Sequence, residues 1–176
     1  MEDARVQRLT SAIRDVPDFP VKGVTFKDIT PILKDPVLFT SAVDLFAERH
    51  IGGDVNKVAI IDARGFIFGA AVAYRLGVGL VPIRKKDKLP FKTYEEEYQL
   101  EYGTAALSVH VDAFTKGEHV LLVDDLLATG GTAGAAAKLV ERAGGKILEI
   151  NVLIELTFLK GREKFEGHKV FAPIQI

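Results

Sequence analysis

The stretch His119-Val-Leu-Leu-Val-Asp-Asp-Leu-Leu-Ala-Thr-Gly-Gly-Thr132 decides the fold of this chain. Its apolar residues from Val120 to Val123 predict a buried strand. The small residues from Thr129 to Thr132 stand where an alanine-rich helix begins. The first N–H groups of a helix have no partner within the helix, and the helix dipole favours an anion there. The stretch therefore predicts a strand, a phosphate-binding turn and a helix in succession.

Two adjacent acids, Asp124 and Asp125, lie between the strand and the turn. Beside an anion site they are unsuited to hold a phosphate, but they suit hydrogen bonds from sugar hydroxyls or contact with a hydrated metal. The predicted ligand is thus a phosphorylated sugar. A purely structural interpretation stays open, because acids also end ordinary strands and Gly-Gly also forms ordinary turns. The sequence has neither Gly-x-x-x-x-Gly-Lys-Ser/Thr nor a strand followed by Gly-x-Gly-x-x-Gly, which excludes two other phosphate-binding loops.

The composition of the 176 residues is typical of a globular protein, with 48% apolar and 27% charged residues. A net charge of −1 argues against a general binder of nucleic acid or membrane surfaces. No apolar run approaches the roughly 20 residues of a membrane span. The sequence shows no secretory leader and no cysteine, so we expect a single domain in a reducing, cytoplasmic setting. The four histidines are scattered and show no metal-ligand spacing.

Hydrophobic periodicity predicts helices that alternate with strands. The predicted helices cover residues 3–14, 35–49, 66–76 and 131–143, and the predicted strands cover 57–61, 79–83, 120–123 and 146–153. We expect an irregular segment over 15–34, a polar and mobile-looking segment over 84–98, and an edge strand or hairpin arm over 104–109. This alternation indicates an α/β fold, with a central, mostly parallel twisted sheet and flanking helices.

Two further strand ends carry residues that suit the same ligand, because parallel strands present their carboxyl ends to one crevice. Asp62-Ala-Arg-Gly65 follows one strand, where exposed backbone N–H groups and Arg64 would hold a second anion. A basic cluster follows the next strand, and its best candidates are Arg84, Lys85 and Lys88. Two anion sites and an acid pair suited to a diol predict a ribose with a 5-phosphate and a second phosphate group.

The stretch Val123-Asp-Asp-Leu-Leu-Ala-Thr-Gly-Gly-Thr132 resembles the phosphoribosyl pyrophosphate signature of type I phosphoribosyltransferases. Further motifs resemble the adenine branch of that family, and the similarity covers nearly the whole chain. These motifs are Asp18-Phe-Pro, Gly23-Val-Thr-Phe-Lys-Asp28, Asp62-Ala-Arg-Gly-Phe66, Ile83-Arg-Lys-Lys-Asp-Lys-Leu-Pro90, Leu100-Glu-Tyr-Gly103 and Glu155-Leu-Thr-Phe-Leu-Lys-Gly-Arg-Glu-Lys164. The resemblance implies a Rossmann-like fold with a small N-terminal hood.

The resemblance implies one phosphoribosyltransferase domain over residues 1–176. Within it, residues 1–34 would form the base-binding hood, and residues 87–102 a flexible lid that we expect to be poorly ordered without ligand. The implied function is purine salvage, in which phosphoribosyl pyrophosphate and adenine give AMP and pyrophosphate with Mg²⁺ as cofactor. The implied assembly is a cytoplasmic homodimer that uses neither nucleic acid nor a membrane.

The resemblance also assigns a role to each matched residue. Asp124 and Asp125 would bind the ribose hydroxyls, and Asp125 would reach Mg²⁺ through a water, with the ion held mainly by the substrate. The 5-phosphate would contact Ala128, Thr129, Gly130, Gly131 and Thr132. Pyrophosphate would contact Ala63, Arg64, Gly65, Arg84, Lys85 and Lys88, with a cis peptide bond before Arg64. Adenine would contact Val24, Thr25, Phe26, Lys27 and Leu156.

In the implied reaction adenine N9 attacks ribose C1 and pyrophosphate leaves, through an oxocarbenium-like transition state. Arg64 and Mg²⁺ would stabilise the charge that grows on pyrophosphate. Glu101 would manage the protons of the base, with a pKa raised when the lid closes, and Tyr102 would lie beside it on the lid. Without the resemblance, a surface acid in an acidic loop is the more natural interpretation of Glu101.

Two residues depart from the family pattern at the base pocket. Thr25 stands where a second apolar residue is usual, and Lys27 stands where arginine is usual. A phosphoribosyltransferase for another purine base is therefore an alternative. A second alternative is a non-catalytic regulator that senses phosphoribosyl pyrophosphate, although the sequence shows neither a basic face nor an added DNA-binding segment.

Overall fold

The computed structural model describes residues 4–99, 103–164 and 167–176. The chain forms two compact units, the first ending at Leu45 and the second beginning at Phe46. Within the described ranges, no helix combines the length and the apolar character that a membrane crossing requires.

The first unit begins with helix α1 (Ala4–Ala12), which buries Val6 and Leu9 as their spacing predicted. Residues 15–34, which we expected to be irregular, contain parts of a two-stranded antiparallel sheet and a short helix instead. These elements are β1 (Arg14–Val16), β2 (Phe26–Asp28) and α2 (Thr30–Lys34). Elements of three to five residues are too short for hydrophobic periodicity to reveal.

Helix α3 (Pro36–Ala47) begins where the Asp-Pro pair predicted it. Asp35 Oδ1 accepts hydrogen bonds from the backbone N–H groups of Val37 and Leu38, at 2.9 and 3.1 Å. The carboxylate thus pairs donors that the helix leaves open, while proline at the first helical position has no N–H to pair. The helix ends at Ala47, before the predicted end at Arg49.

The second unit holds an eight-stranded sheet with strand order β10-β8-β7-β3-β4-β6-β5, and β9 pairs with β8. Its strands are β3 (Lys57–Ile61), β4 (Gly79–Lys85), β5 (Thr93–Gln99), β6 (Thr104–His110), β7 (His119–Leu127), β8 (Lys146–Glu155), β9 (Val170–Phe171) and β10 (Ile174–Gln175). Two longer helices accompany them, α4 (Gly65–Leu76) and α5 (Gly131–Arg142).

The sheet is mostly parallel, as predicted. Strand β3 pairs in parallel with β4 and β7, and β7 pairs in parallel with β8. Successive residues of a strand point to opposite faces, so a sheet covered by helices on both faces is apolar throughout. Ala59 and Ile61 belong to the same core cluster as the alanines of α5, whereas Ile60 lies against Gly69 of α4. The two helices therefore flank the sheet on opposite faces.

The segment from residue 84 to residue 98, which we expected to be mobile, is largely regular in the structure. Strand β5 pairs antiparallel with β6 from Thr93↔His110 to Gln99↔Thr104, and β6 pairs antiparallel with the end of β4. Residues 104–109 are thus a hairpin arm, one of the two predicted possibilities. The sequence did not predict this ribbon, because its polar side chains give no clear apolar pattern. Hydrogen bonds between residues far apart in the sequence hold the two strands together.

Strand β7 is longer than predicted. It continues through Asp124 and Asp125 to Leu127, and its pairing with β8 shifts register between Val120 and Leu121. The acids therefore lie on the strand itself rather than after its end. Pairing with β8 therefore positions the backbone of both acids, with Asp124 opposite Val152 and Leu126 opposite Ile154.

Candidate active site

A cavity of about 330 Å³ lies beyond the carboxyl ends of two neighbouring strands. Strand β3 pairs in parallel with β7, with Ile60 opposite Val123, so the loops that follow these strands emerge side by side. Residues 62–64 and 124–133 line the cavity. The structure thus brings two of the three chemically marked strand ends together at one site, as predicted.

The first loop packs closely against β7. A Cβ at Gly65 would lie 2.8 Å from Asp124 Oδ1 and 2.9 Å from the carbonyl oxygen of Val123, so this position needs glycine. A cis peptide bond joins Asp62 and Ala63. The expected cis bond before Arg64 is therefore wrong by one residue. Ala63 and Arg64 line the cavity, while Gly65 is buried beneath them at the start of α4.

The second loop, Ala128–Thr132, is called the phosphate loop below. Gly130 has φ of +81°, a conformation that favours glycine, and it precedes the first residue of α5. The N-cap residue of α5 is Gly130, which has no side chain to cap the helix start. All the predicted phosphate-loop residues line the cavity. Backbone N–H groups at an uncapped helix start are suited to a phosphate.

The acid pair lies beside these amides and carries unusual electrostatics. Asp125 is only 4% exposed, and its Oδ2 lies 2.9 Å from Arg64 Nε. Nevertheless, this oxygen accepts no aligned hydrogen bond within the described part of the chain. Burial raises the pKa of Asp124 well above the usual range of a carboxyl, and the charge of Asp125 raises it further. Burial also raises the pKa of Asp125, against the opposing charge of Arg64.

The basic cluster does not line the cavity. Lys85 and Lys88 are exposed, and the side chain of Arg84 is engaged elsewhere. Arg84 Nε lies 3.3 Å from Asp62 Oδ2, and Arg84 Nη1 donates to the carbonyl oxygen of Lys88 at 3.1 Å. The expectation that Arg84, Lys85 and Lys88 point into one crevice with the acids is therefore not met in this structure. Arg84 links the β3 loop to the base of the hairpin instead.

The predicted base-binding residues are divided between the units. Val24, Thr25, Phe26 and Lys27 belong to the first unit, whereas Leu156 follows β8 in the second. The Phe26 ring meets the Phe19 ring edge-on at 5.3 Å, and Lys27 Nζ forms an ion pair with Asp15 at 2.7 Å. Glu101 and Tyr102, the predicted residues of the lid, lie outside the described residues.

Sequence analysis assigned no role to Asp62, although this acid lines the cavity and pairs with Arg84. Its signal was present, since it is a carboxylate directly after a buried strand. Leu126, Leu127 and Ala133 also line the cavity and were missed. They have no chemical signal, because an apolar residue beside a site looks like any core residue.

Comparisons with known proteins agree with this geometry. The profile of the phosphoribosyl transferase domain family matches residues 33–171. Adenine phosphoribosyltransferase of Chloroflexus aurantiacus is 54% identical over 169 residues, which are 96% of this chain and 98% of that protein. The chain belongs to the adenine phosphoribosyltransferase family. It is therefore a transferase of purine salvage that moves a phosphoribosyl group to adenine.

Solved structures of adenine phosphoribosyltransferases share the fold. The crystal structure from Thermoanaerobacter pseudethanolicus has a TM-score of 0.93 at 50% identity, and the match covers 97% of this chain and 99% of that one. The Saccharomyces cerevisiae enzyme has a TM-score of 0.92 at 38% identity, with 97% and 99% covered. The yeast enzyme was crystallised with adenine and with D-2,5-dideoxy-2,5-imino-altritol 1,6-bisphosphate.

Proposed function

We propose that the cavity beside the phosphate loop is where this chain transfers the 5-phosphoribosyl group of phosphoribosyl pyrophosphate to adenine, giving AMP and pyrophosphate. One observation carries the proposal: a helix start without a cap, a buried acid pair and an arginine-bearing loop converge on a single cavity. A ribose that carries a 5-phosphate and a diphosphate needs these three kinds of partner.

The phosphate loop takes the 5-phosphate on its backbone amides, and the hydroxyls of Thr129 and Thr132 add donors. The carboxylates of Asp124 and Asp125 accept hydrogen bonds from the ribose hydroxyls. Asp124 Oδ1 accepts a hydrogen bond from the Asp125 N–H at 2.9 Å, but the buried Asp125 Oδ2 accepts none among the described residues, and burial raises the pKa of each acid. Sugar hydroxyls supply the missing donors, so ligand binding relieves a cost that the folded chain carries alone.

Pyrophosphate leaves toward the β3 loop. The backbone of Ala63 to Gly65 and the guanidinium of Arg64 stabilise the charge that develops on it. In the structure Arg64 lies against Asp125, so its move to the pyrophosphate would free that carboxylate for the sugar. Arg84, Lys85 and Lys88 add positive charge from the base of the hairpin. Arg84 already contacts Asp62 in the loop after β3. We therefore assign Arg84 to the pyrophosphate end of the site, with that loop, rather than to the acid pair.

Magnesium is the cofactor that this donor set fits. Asp125 Oδ2 is buried and accepts no hydrogen bond from the described residues, and a carboxylate oxygen suits a water of hydrated Mg²⁺. In residues 4–99, 103–164 and 167–176, no three His, Asp or Glu side chains gather into a ligand cluster. The substrate's diphosphate would therefore supply most oxygen ligands. When bound, the ion neutralises charge on the leaving pyrophosphate.

The residues that we propose for contact with adenine are Val24, Thr25, Phe26, Lys27 and Leu156. Glu101 manages the proton that adenine N9 loses, and Tyr102 accompanies it on the 87–102 lid. We expect Glu101→Gln to lower turnover by about 100-fold while donor binding changes little, because acid–base catalysis contributes to the chemical step. Glu97→Gln, at an exposed position of β5, is the matched control. Equal turnover in both variants would remove Glu101 from the mechanism.

We also propose a homodimer, as the resemblance implies. Ile67, Ala70 and Tyr74 recur at helical spacing on α4 and are exposed, Tyr74 to 90%. An exposed apolar stripe of this kind on α4 is suited to packing against a second copy of the chain. A Tyr74→Lys variant should elute later than wild type in size-exclusion chromatography, and elution of wild type itself as a monomer would refute the dimer.

The deciding assay incubates the chain with phosphoribosyl pyrophosphate, Mg²⁺ and one purine base at a time, and follows the nucleotide and pyrophosphate. We expect AMP from adenine. Lys27 stands where the family usually has arginine, and its ammonium group forms an ion pair with Asp15 at 2.7 Å. This difference among the proposed base-binding residues is the reason to test a second class of base. Hypoxanthine and guanine therefore run in parallel. Turnover of a 6-oxopurine above that of adenine would overturn the base assignment, and no turnover at all would favour the regulator.

A further inference from the structure

Residues 156–164 fold back onto the phosphate loop. Glu155, the last residue of β8, pairs with Leu127, and the N–H of Leu156 donates to the carbonyl oxygen of Leu127 at 2.9 Å. Two 3₁₀ turns follow, Thr157–Leu159 and Gly161–Lys164. The segment that leaves β8 therefore runs directly beside the loop that leaves β7.

Gly161 is the point of closest approach. A Cβ at this position would overlap the carbonyl oxygen of Ala128 and would lie 3.0 Å from Cγ and Cδ1 of Leu127. The backbone of Gly161 does not adopt the left-handed conformation that favours glycine. Space alone therefore requires glycine here, and the atom that limits the space belongs to the backbone of the phosphate loop.

The contact is reciprocal. A Cβ at Gly130 would overlap the carbonyl oxygen of Gly161, and it would lie 3.1 and 3.0 Å from Cβ and Cγ of Lys164. Each glycine thus accepts the other segment's backbone where a side chain would stand. Since backbone atoms cannot swing aside as a lysine chain end can, the two segments hold each other in one arrangement.

An ion pair between the partly exposed Arg162 and the buried Glu155 links this segment to the sheet. Arg162 Nε donates to both carboxylate oxygens of Glu155, at 2.7 and 2.8 Å, and Arg162 Nη1 donates to the carbonyl oxygen of Val170 at 2.8 Å. Glu155 is 3% exposed. A forked pair of this kind fixes orientation as well as distance. Gly161 directly precedes Arg162, so this ion pair also fixes the position of Gly161 against the phosphate loop.

We propose that Gly161 is a positioning residue of the transferase, which sets the shape of the phosphate loop so that its amides converge on the 5-phosphate. This proposal rests on the proposed function of that loop. Gly161 need not touch the ligand. Its role is to present an unobstructed backbone against Ala128, so that the carbonyl of Ala128 packs against Gly161 and the amides that follow stay aligned.

The test is Gly161→Ala, measured with ribose 5-phosphate, AMP and pyrophosphate by calorimetry and with steady-state kinetics. A misplacement of loop atoms by a fraction of an ångström should weaken ribose 5-phosphate and AMP by about tenfold or more. The KM for phosphoribosyl pyrophosphate should rise more than kcat falls, and pyrophosphate should bind as in wild type. Gly79→Ala is the control, since the three described atoms nearest to a Cβ there belong to the flexible Lys57 side chain, the first at 3.4 Å.

A folded Gly161→Ala that binds ribose 5-phosphate as wild type does would overturn the proposal, and so would an equal loss of pyrophosphate binding. If that variant does not fold, Arg162→Lys decides, because it loosens the segment without adding volume. Arg162→Lys should also bind ribose 5-phosphate more weakly while it binds pyrophosphate as wild type does. Wild-type affinity for ribose 5-phosphate in this variant would contradict the positioning role of Gly161. Failure of wild type to bind ribose 5-phosphate would refute the phosphate assignment itself.

Discussion

Buried carboxylates in the second unit differ in how completely cations and hydrogen-bond donors compensate their charge. Glu149, 7% exposed, receives hydrogen bonds from Arg49 Nε and Nη2 at 3.0 and 2.7 Å, and His50 Nε2 lies 3.2 Å away. Burial alone would raise its pKa, but the hydrogen bonds from His50 and Arg49, with their charge, lower the pKa of Glu149 to about 2. This acid is fully supplied with donors.

Asp124 and Asp125 have fewer donors: Asp124 Oδ1 accepts a hydrogen bond from the Asp125 N–H at 2.9 Å, and no side-chain donor in the described part of the chain saturates the pair as Arg49 saturates Glu149. Their close cation is Arg64, Asp125 Oδ2 accepts no hydrogen bond among the described residues, and burial raises the pKa of both carboxyls. A saturated acid contributes to folding, whereas an acid short of donors gains them only from a ligand. The comparison therefore separates a carboxylate that serves the fold from a pair that serves the chemistry.

The largest effect should follow Asp125→Asn. Asparagine keeps the size of the side chain but removes the charge, so we expect turnover to fall by about 1000-fold. The melting temperature should not fall, because the acid is poorly paired in the folded state. Asp112→Asn, at an exposed acid, is the control for kcat measurements. Wild-type turnover in Asp125→Asn would remove the functional half of the comparison.

Glu149→Gln should act on stability instead. We expect the free energy of unfolding at pH 7, measured by urea denaturation, to fall by about 2 kcal/mol, because the hydrogen bonds from Arg49 lose their ionised acceptor. Since the folded-state pKa of Glu149 is about 2 against an ordinary value of 4.5, its contribution is present above pH 4.5 and is lost as the pH falls toward 2. The kcat should stay at the wild-type value.

The difference between wild type and Glu149→Gln should accordingly close in acid. Glu141→Gln serves as the control, since that exposed acid has only a 3.4 Å contact with His168. A gap that persists unchanged at pH 2 would show that the charge of Glu149 is not what stabilises the fold.

A smaller effect of opposite sign is expected for Asp124→Asn. The folded-state pKa of Asp124 lies above its ordinary value of 3.8, so the folded chain binds more protons than the unfolded chain over that interval. Stability of the wild type therefore falls as the pH rises through this window. The variant escapes this cost and should melt modestly higher than wild type at pH 7. A lower melting temperature would show that Asp124 is structurally satisfied after all.

The smallest effect should come from an exposed pair. Lys138 on α5 contacts Glu96 on β5 at 3.0 Å, and its side chain is 69% exposed. Lys138→Met should change the free energy of unfolding by less than about 0.5 kcal/mol, because water already screens such charges. A loss of stability as large as that of Glu149→Gln in the same urea experiment would contradict the conclusion that burial makes the Glu149 contacts the stronger ones.

Much of the site was predictable because its signal is local. The acid pair lies near the carboxyl end of β7, and the phosphate loop and the Arg64 loop follow β7 and β3, so all three reach the edge of the sheet where parallel strands end. The contact between Arg84 and Asp62 was not predictable, since it joins strand β4 to the loop after β3, and these are adjacent only because β3 pairs with β4. The β5–β6 hairpin escaped for the same reason, as its hydrogen bonds join residues far apart in the chain.

By itself, the sequence determined the order of the longer helices and of the parallel strands β3, β4, β7 and β8, the Asp35 cap and the composition of the phosphate loop. These features depend on periodicity and on backbone groups within a few residues of one another. Only the tertiary structure decided which buried acid is saturated and which glycine faces a neighbouring backbone. Arg49 reaches Glu149, and Gly161 reaches Ala128, through the packing of distant segments. Desolvation and close contact arise only when such segments meet, and no local pattern records them.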